Sequence, residues 1–500
     1  MVRQAFGKMK SIINFRRFSI NPRSYGDAID ALNSLQTNFA TLEVIRKSER
    51  KANTKAIPEM VEWARRVGYT VNMPSDLDRL NIIHVTGTKG KGSTCAFTYS
   101  VLSQYQPMLS KIGVYTSPHL KSVRERISIN GNPLSEDKFT RYFFEVWDRL
   151  SKSVSEESTF PSMGQGVRPV YFRFLTLLSF HVFLSENVDT AIYEVGIGGE
   201  YDSTNIIRRP TAVGIASIGI DHTRVLGTTL KDIAWNKGGI MKTGTKAFSV
   251  EQKAEAWDAL QGRASEKNVE LIMVPVHPVV AKTGLGIDAE FQNINASLAV
   301  ALAREHLRVL GHYPQEYSND DELPSEFTKG LENASWHGRC QTIKDGSTEW
   351  LLDGAHTDES ITVATQWFST KARNNAKKIL LFNQQTRDAK SLVSRLHSII
   401  GADVHFDEVI FCTNITWSAG GYQAAELTSM NNSKQAVHDL VVQKELAEQW
   451  EKLDPTSKRH VLPTIEHAVK YVRELKEEDV QVLVTGSLHL VGGLLVVLDK

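Results

Sequence analysis

Five hundred residues, 41% hydrophobic and 23% charged, suit a soluble globular protein of roughly two to four domains. With 58 basic and 57 acidic residues the net charge is +1, so no overall field draws the chain to nucleic acid or to an anionic membrane. The cysteines Cys95, Cys340 and Cys412 stand far apart with no CxxC pair, which argues against a disulfide framework or a structural zinc site, and no apolar run approaches the ~18–20 residues of a membrane span.

Residues 1–23 carry Arg3, Lys8, Lys10, Arg16, Arg17 and Arg23 with no acid before Asp27, the composition of a mitochondrial presequence. From Asp27 to Arg66, Leu32, Leu35, Phe39 and Leu42 recur at helical spacing. Strand candidates then alternate with helical stretches: Ile82–Val85, Ile112–Tyr115, Thr190–Val195, Ala212–Ile218 and Glu270–Val274. A second series follows at Glu349–Leu352, Lys378–Phe382, Glu408–Cys412 and Val480–Thr485. Such alternation predicts two α/β units with mainly parallel, doubly wound sheets. The Ser/Glu/Gly-rich stretch 151–168 reads as a mobile loop. The polar, proline-containing stretch 321–336 reads as a linker between units at 24–320 and 337–500.

The first strand candidate runs into Gly87-Thr88-Lys89-Gly90-Lys91-Gly92-Ser93 and then a helix-compatible segment. Strand, glycine-rich turn and helix make the context of a phosphate-binding loop: backbone N–H groups converge, the helix dipole adds positive potential, and Lys91 supplies a full charge. It departs from the Walker pattern, with His84 at the first glycine position and Gly92 between Lys91 and Ser93. Other polar residues fall at strand ends, where ligands collect in open α/β sheets. These are Thr116 and Ser117, Glu194, Asp221 and His222, and, in the second series, Asp353 and His356, with Arg339 near the boundary. Glu, His and hydroxyl oxygens beside a phosphate loop form a hard donor set suited to Mg²⁺.

The segments GTKGKGS (87–93), YTSPHL (115–120), RERI (124–127), EVGIGG (194–199), DSTNI (202–206), GIDHT (219–223), WNKGGI (235–240), HGR (337–339), LLDGAHT (351–357) and TGSLHL (485–490) occur in one order. Together they resemble folylpolyglutamate synthases of the eukaryotic type, relatives of the Mur peptidoglycan ligases. The resemblance implies a Mur-ligase-like P-loop domain that binds ATP and folate, followed by a smaller Rossmann-like C-terminal α/β domain for the glutamate ligation. It implies ATP-dependent addition of L-glutamate to the γ-carboxylate of a reduced folate through an acyl phosphate, in a mitochondrial and cytoplasmic monomer without nucleic-acid partners. Gly87, Thr88, Lys89, Gly90, Lys91, Gly92, Ser93, Asn205, Arg339 and Asp353 would hold the nucleotide. Ser117, Glu194, His222 and a carbamylated Lys237 would hold Mg²⁺, with K⁺ as a further cation. Lys91, Lys237 and His356 would serve catalysis. Arg124, Arg126, Tyr171, Phe172, Ser487 and His489 would meet the substrates, although Phe172, Leu175 and Phe180 equally form a helix core stripe. Two other functions fit the same motifs less fully: a dihydrofolate synthase, and a P-loop ATPase without ligase activity.

Overall fold

The computed structural model describes residues 23–36, 54–72, 74–317, 322–385, 388–400, 404–419 and 439–500. Residues 1–22 of the expected presequence, and Phe39 and Leu42 of the expected first helical stretch, lie outside them. Around that gap stand helices Tyr25–Asn33 and Ala56–Val67.

Eight strands form the first sheet: β1 (Ile82–Thr86), β2 (Ile112–Tyr115), β3 (Ile127–Ile129), β4 (Asn132–Pro133), β5 (Thr190–Glu194), β6 (Ala212–Ile215), β7 (Ala247–Val250) and β8 (Leu271–Val274). Their spatial order is β4-β3-β2-β5-β1-β6-β7-β8. All neighbours from β2 to β8 are parallel, and β3 and β4 add an antiparallel edge. Strands buried on both faces explain the short, unbroken apolar runs seen in the sequence. Along β1 the side chains alternate. Ile83 and Val85 enter the core under helices Lys91–Ser103 and Gln292–Val309, whereas Ile82 enters the core under helices Glu136–Lys152 and Tyr171–Ser185.

The second sheet comprises β9 (Gln341–Asp345), β10 (Thr348–Leu352), β11 (Lys377–Phe382), β12 (Glu408–Cys412), β13 (Lys458–Leu462) and β14 (Val480–Thr485), ordered β13-β12-β11-β14-β10-β9. Only β9 runs antiparallel to its neighbour. Two mainly parallel α/β sheets are therefore present, as the sequence led one to expect. The strands not foreseen are β3, β4, β7, β9 and β13. β9 and β13 are edge strands with polar residues facing out, so neither shows a sustained apolar run.

Two loop readings need correction. Residues 151–168 are anchored: Met163 is buried, Arg66 donates to Met163 O at 3.0 Å and to Leu150 O at 2.6 Å, and Arg168 stacks on Trp147. The stretch read as a linker contains helix Ser325–Glu332, whose Phe327 and Leu331 are buried in the core of the first sheet. Its polar composition belongs to the outer face of an amphipathic helix. The chain leaves that core only after Trp336, which still packs against it.

Candidate active site

β1 is flanked by β5 and β6, and the carboxyl ends of these three strands face a cleft of about 2230 Å³. That is the switch point of a doubly wound sheet. The glycine-rich loop leaves β1 here. Gly90 caps helix Lys91–Ser103 at φ 83°, a left-handed conformation that disfavours a Cβ, and any Cβ would lie 2.1 Å from Asn295 Oδ1. No acid occupies the first turn of this helix, so its N–H groups and dipole meet the cleft uncompensated. The loop is pinned from behind, with Thr88 N and Lys89 N donating to Ser217 O at 2.8 and 3.1 Å.

Cations and one carboxylate meet below the loop. Lys91 Nζ donates to Gly87 O at 3.1 Å and stands 4.0 Å from Glu194 Oε1. Glu194, at the end of β5, accepts the Ser117 N–H at 2.9 Å. Burial pushes its carboxyl upward, while Lys91, the Ser117 N–H, Arg339 and Arg126 oppose that shift. Lys237, 3% exposed, donates to the same Gly87 O at 2.7 Å. Burial, reinforced by Lys91, holds its amine well below the ordinary lysine range. His222 begins helix Thr223–Leu226 in a left-handed conformation, half exposed, 4.0 Å from Asp221.

The opposite wall comes from the second sheet. Arg339, Asp353, Gly354 and His356 line the cleft. Asp353 accepts Cys340 N at 3.0 Å, and burial raises its carboxyl against the pull of Arg339. His356 Nδ1 lies 2.9 Å from Gly354 O, so that nitrogen carries a proton. Lys89 Nζ spans the two walls, donating to Thr357 Oγ1 at 2.7 Å.

Several expected ligand residues stand elsewhere. Asn205 is buried and engaged locally, donating to Glu200 O and Gly239 O and accepting Lys242 Nζ at 2.6 Å. Arg124 is absent from the cleft lining. It donates to Leu134 O at 2.7 Å, pairs with Glu136 and covers the Tyr25 ring. Tyr171 lies beside Arg126, and of the two aromatics only Phe172 lines the cleft, packed against Gly196. Ser487 serves as N-cap of helix Leu488–Leu498, accepting His489 N, and burial lowers the His489 imidazole. Neither residue lines the cleft, although Leu488 between them does.

Conversely, Gln292, Asn295 and Trp336 line the cleft without having been singled out. Gln292 donates to Ser93 Oγ at 3.2 Å, Asn295 donates to Gln292 Oε1 at 2.8 Å, and the Trp336 indole lies against Gly92. Two carboxamides at i and i+3 in the first turn, ahead of the apolar run Leu298–Ala303, were the available signal. Among the described residues no group of three or more His, Cys, Asp or Glu side chains is arranged to hold a metal ion.

Residues 337–497 match the family model described as dihydrofolate synthetase, C-terminal domain. The chain is 50% identical over 483 residues to the folylpolyglutamate synthase of Saccharomyces cerevisiae strain S288c, covering 96% of this chain and 87% of that protein. Among solved structures it resembles the apo form of L. casei FPGS with a TM-score of 0.66, 20% identity, and coverage of 93% and 100%. It also resembles the Mycobacterium tuberculosis folylpolyglutamate synthase complexed with ADP, with a TM-score of 0.67, 20% identity, and coverage of 95% and 99%. Similarity of this extent to the yeast enzyme places the chain in a family: it belongs to the folylpolyglutamate synthases.

Proposed function

We propose that the protein is an ATP-dependent ligase that joins L-glutamate to the γ-carboxylate of tetrahydrofolate and its polyglutamates, releasing ADP and phosphate. One observation carries the reading: in a chain 50% identical to a folylpolyglutamate synthase, the glycine-rich loop with Lys91 and the buried Glu194 face Arg339, Asp353 and His356 across one cleft. A carboxylate is a poor electrophile. Transfer of the γ-phosphoryl group of ATP to a folate carboxylate oxygen gives an acyl phosphate and ADP. The glutamate ammonium gives up one proton, its nitrogen attacks the acyl carbon, the C–O bond to phosphate breaks, and the nitrogen loses a second proton, keeping the third as the amide N–H.

Each step needs positioning and charge neutralisation more than covalent help. Lys91 and the N–H groups of the helix start would hold the phosphates, and Arg339 would approach them from the other wall. His356 Nε2 would receive a proton from the attacking amine. Phe172 and Arg126 would hold the folate ring and a carboxylate.

The donor set fits Mg²⁺. One buried carboxylate, Glu194, the Ser117 hydroxyl and the His222 imidazole leave room for phosphate oxygens and water, which this ion retains. These residues would hold it, and when bound it would neutralise charge on the transferring phosphoryl group. Lys237 supports a further proposal. Its depressed pKa favours the neutral amine, whose nitrogen adds to CO₂ and loses a proton to give a carbamate, a second anionic ligand. A K⁺ site, a monomeric state and a mitochondrial as well as a cytoplasmic location complete the proposal. The basic, acid-free first 23 residues support the mitochondrial part.

The matched model of residues 337–497 favours one second reading, dihydrofolate synthase. ADP release measured with L-glutamate and either tetrahydrofolate or dihydropteroate separates the two. Turnover on dihydropteroate alone overturns the proposal, and turnover without glutamate points to an ATPase.

A further inference from the structure

The loop joining β2 to β3 belongs to both halves of the molecule. At its start Ser117 gives its N–H to Glu194 Oε2 at 2.9 Å. At its end Arg126 lines the cleft, and its carbonyl accepts Thr116 N at 3.1 Å. At Leu120 the loop crosses to the second sheet, while Val123 stays in the core of the first. Leu120, 8% exposed, is buried in the hydrophobic cluster of the second sheet with Leu352, Leu490 and Val491. Among the described residues, every other buried member of that cluster lies at residue 350 or beyond.

The fit is close. Helix Leu488–Leu498 approaches so near that a Cβ on Gly492 would lie 2.1 Å from Leu120 O. Next to this contact Lys121 Nζ pairs with Asp499 Oδ2 at 2.6 Å. The loop does not absorb displacement easily. The Glu125 carboxylate accepts the N–H groups of Leu120, Lys121 and Ser122 at 2.8, 3.0 and 2.9 Å, and Arg126 Nε donates to His119 Nδ1 at 3.0 Å. Leu120 stands three residue steps from Ser117, a span of at most ~10 Å. The contact with the second-sheet helix and the contact with Glu194 are thus close neighbours on one braced loop.

We propose that Leu120 is a positioning residue for the ligase reaction: seated against Gly492 and Val491, it sets Ser117 and Arg126 relative to Glu194 according to where helix Leu488–Leu498 stands. The cleft then takes its working geometry only while the second sheet is docked on this knob. The inference rests on the ligase reading for its kinetic consequence, but the mechanical coupling is measurable without turnover.

The test uses the full chain and three variants: Leu120→Ala, which removes the knob, Leu120→Met, which restores most of its volume, and Gly492→Ala, which obstructs the socket at a main-chain atom. Hydrogen exchange followed by mass spectrometry should show the 116–126 segment exchanging about tenfold faster in Leu120→Ala and Gly492→Ala, with the 87–93 loop unchanged. Glutamate-dependent ADP release should fall about 10- to 100-fold in kcat in both, with KM for ATP within about twofold, and Leu120→Met should recover most of it. Wild-type exchange in the 116–126 segment of both variants overturns the proposal, as does equal exchange gain across both segments. If wild-type protein shows no folate-dependent turnover, the ligase reading fails, and the exchange result alone decides the coupling.

Discussion

Replacing Lys91 by methionine tests whether its charge is held for the reaction. Lys91 Nζ stands 4.0 Å from Glu194 Oε1, with 17% and 5% of the two side chains exposed. At that separation, and with an effective dielectric near 20, the attraction is about 4 kcal/mol. Much of it offsets the desolvation of two ions, so the pair adds less than this to stability. Removing one partner leaves Glu194 in a site where burial already pushes its carboxyl upward. A fully buried pair broken in this way loses about 3–5 kcal/mol. Because Lys91 retains some exposure, Lys91→Met is expected to lose about 2 kcal/mol in denaturant unfolding at neutral pH. Adding Glu194→Gln should recover part of that loss, with a coupling of about 1–2 kcal/mol in the double-mutant cycle. Turnover should not recover, since the cation facing the transferring phosphoryl group is gone. The expected fall in kcat is at least about 10²-fold, read as glutamate-dependent ADP release at saturating ATP and tetrahydrofolate. A kcat within about threefold of wild type would refute the role given to Lys91, and strict additivity in unfolding would refute its pairing with Glu194.

Gly90→Ala forces a left-handed alanine, costing roughly 1–2 kcal/mol before the contact with Asn295 is counted, and should raise KM for ATP. Unchanged melting and KM would contradict the loop geometry. Arg124→Ala should leave turnover within about twofold, whereas Arg126→Ala should raise KM for folate about tenfold, and steady-state kinetics showing the reverse order would return Arg124 to the site. Asn205→Ala strips partners from Glu200 O, Gly239 O and Lys242 Nζ and should cost about 2–3 kcal/mol in unfolding with little change in KM for ATP. A raised KM with unaltered stability would restore its expected ligand role. Burial lowers the imidazoles of His84 and His306 from 6.5 to about 3. The unfolded chain takes up these protons first, so stability should fall as pH drops from 6.5 towards 3, by about 1.4 kcal/mol per pH unit for each histidine. Equal denaturant midpoints at pH 7 and pH 5 would contradict this.

What could be read from the sequence is what local chemistry encodes. β1, the glycine-rich turn and the following helix announce themselves because apolar period, glycine and lysine fall within one short stretch. Glu194 was legible as a polar residue ending an apolar run. Arg124 and Arg126 were not separable. They sit two residues apart in a single 3₁₀ turn, Val123–Arg126, where one points to Leu134 and the other into the cleft, and nothing in their neighbours distinguishes them. Tyr171 and Phe172 differ by one step around a helix start. Ser487 carried the signal of an N-cap, a serine before an apolar helical run, and the family resemblance led to a different reading. Trp336 against Gly92 and Leu120 against Gly492 acquire their roles through partners more than two hundred residues away, which no local pattern records.

Glycines inside helices are the exception. Gly330 and Gly492 lie within helices, where glycine costs about 1 kcal/mol relative to alanine. At Gly330 a Cβ would come 2.5 Å from the Val101 backbone, and at Gly492 it would come 2.1 Å from Leu120 O. Each position accepts a local penalty so that two distant main chains can touch. The first seats the helix once read as a linker onto the helix that starts at the glycine-rich loop. The second seats the last helix onto the loop that carries Ser117. At Gly330 and Gly492, though not at Gly262, where a Cβ would meet nothing within 4 Å, the helical glycine is the sequence trace of a non-local contact, and both traces lead to the walls of the same cleft.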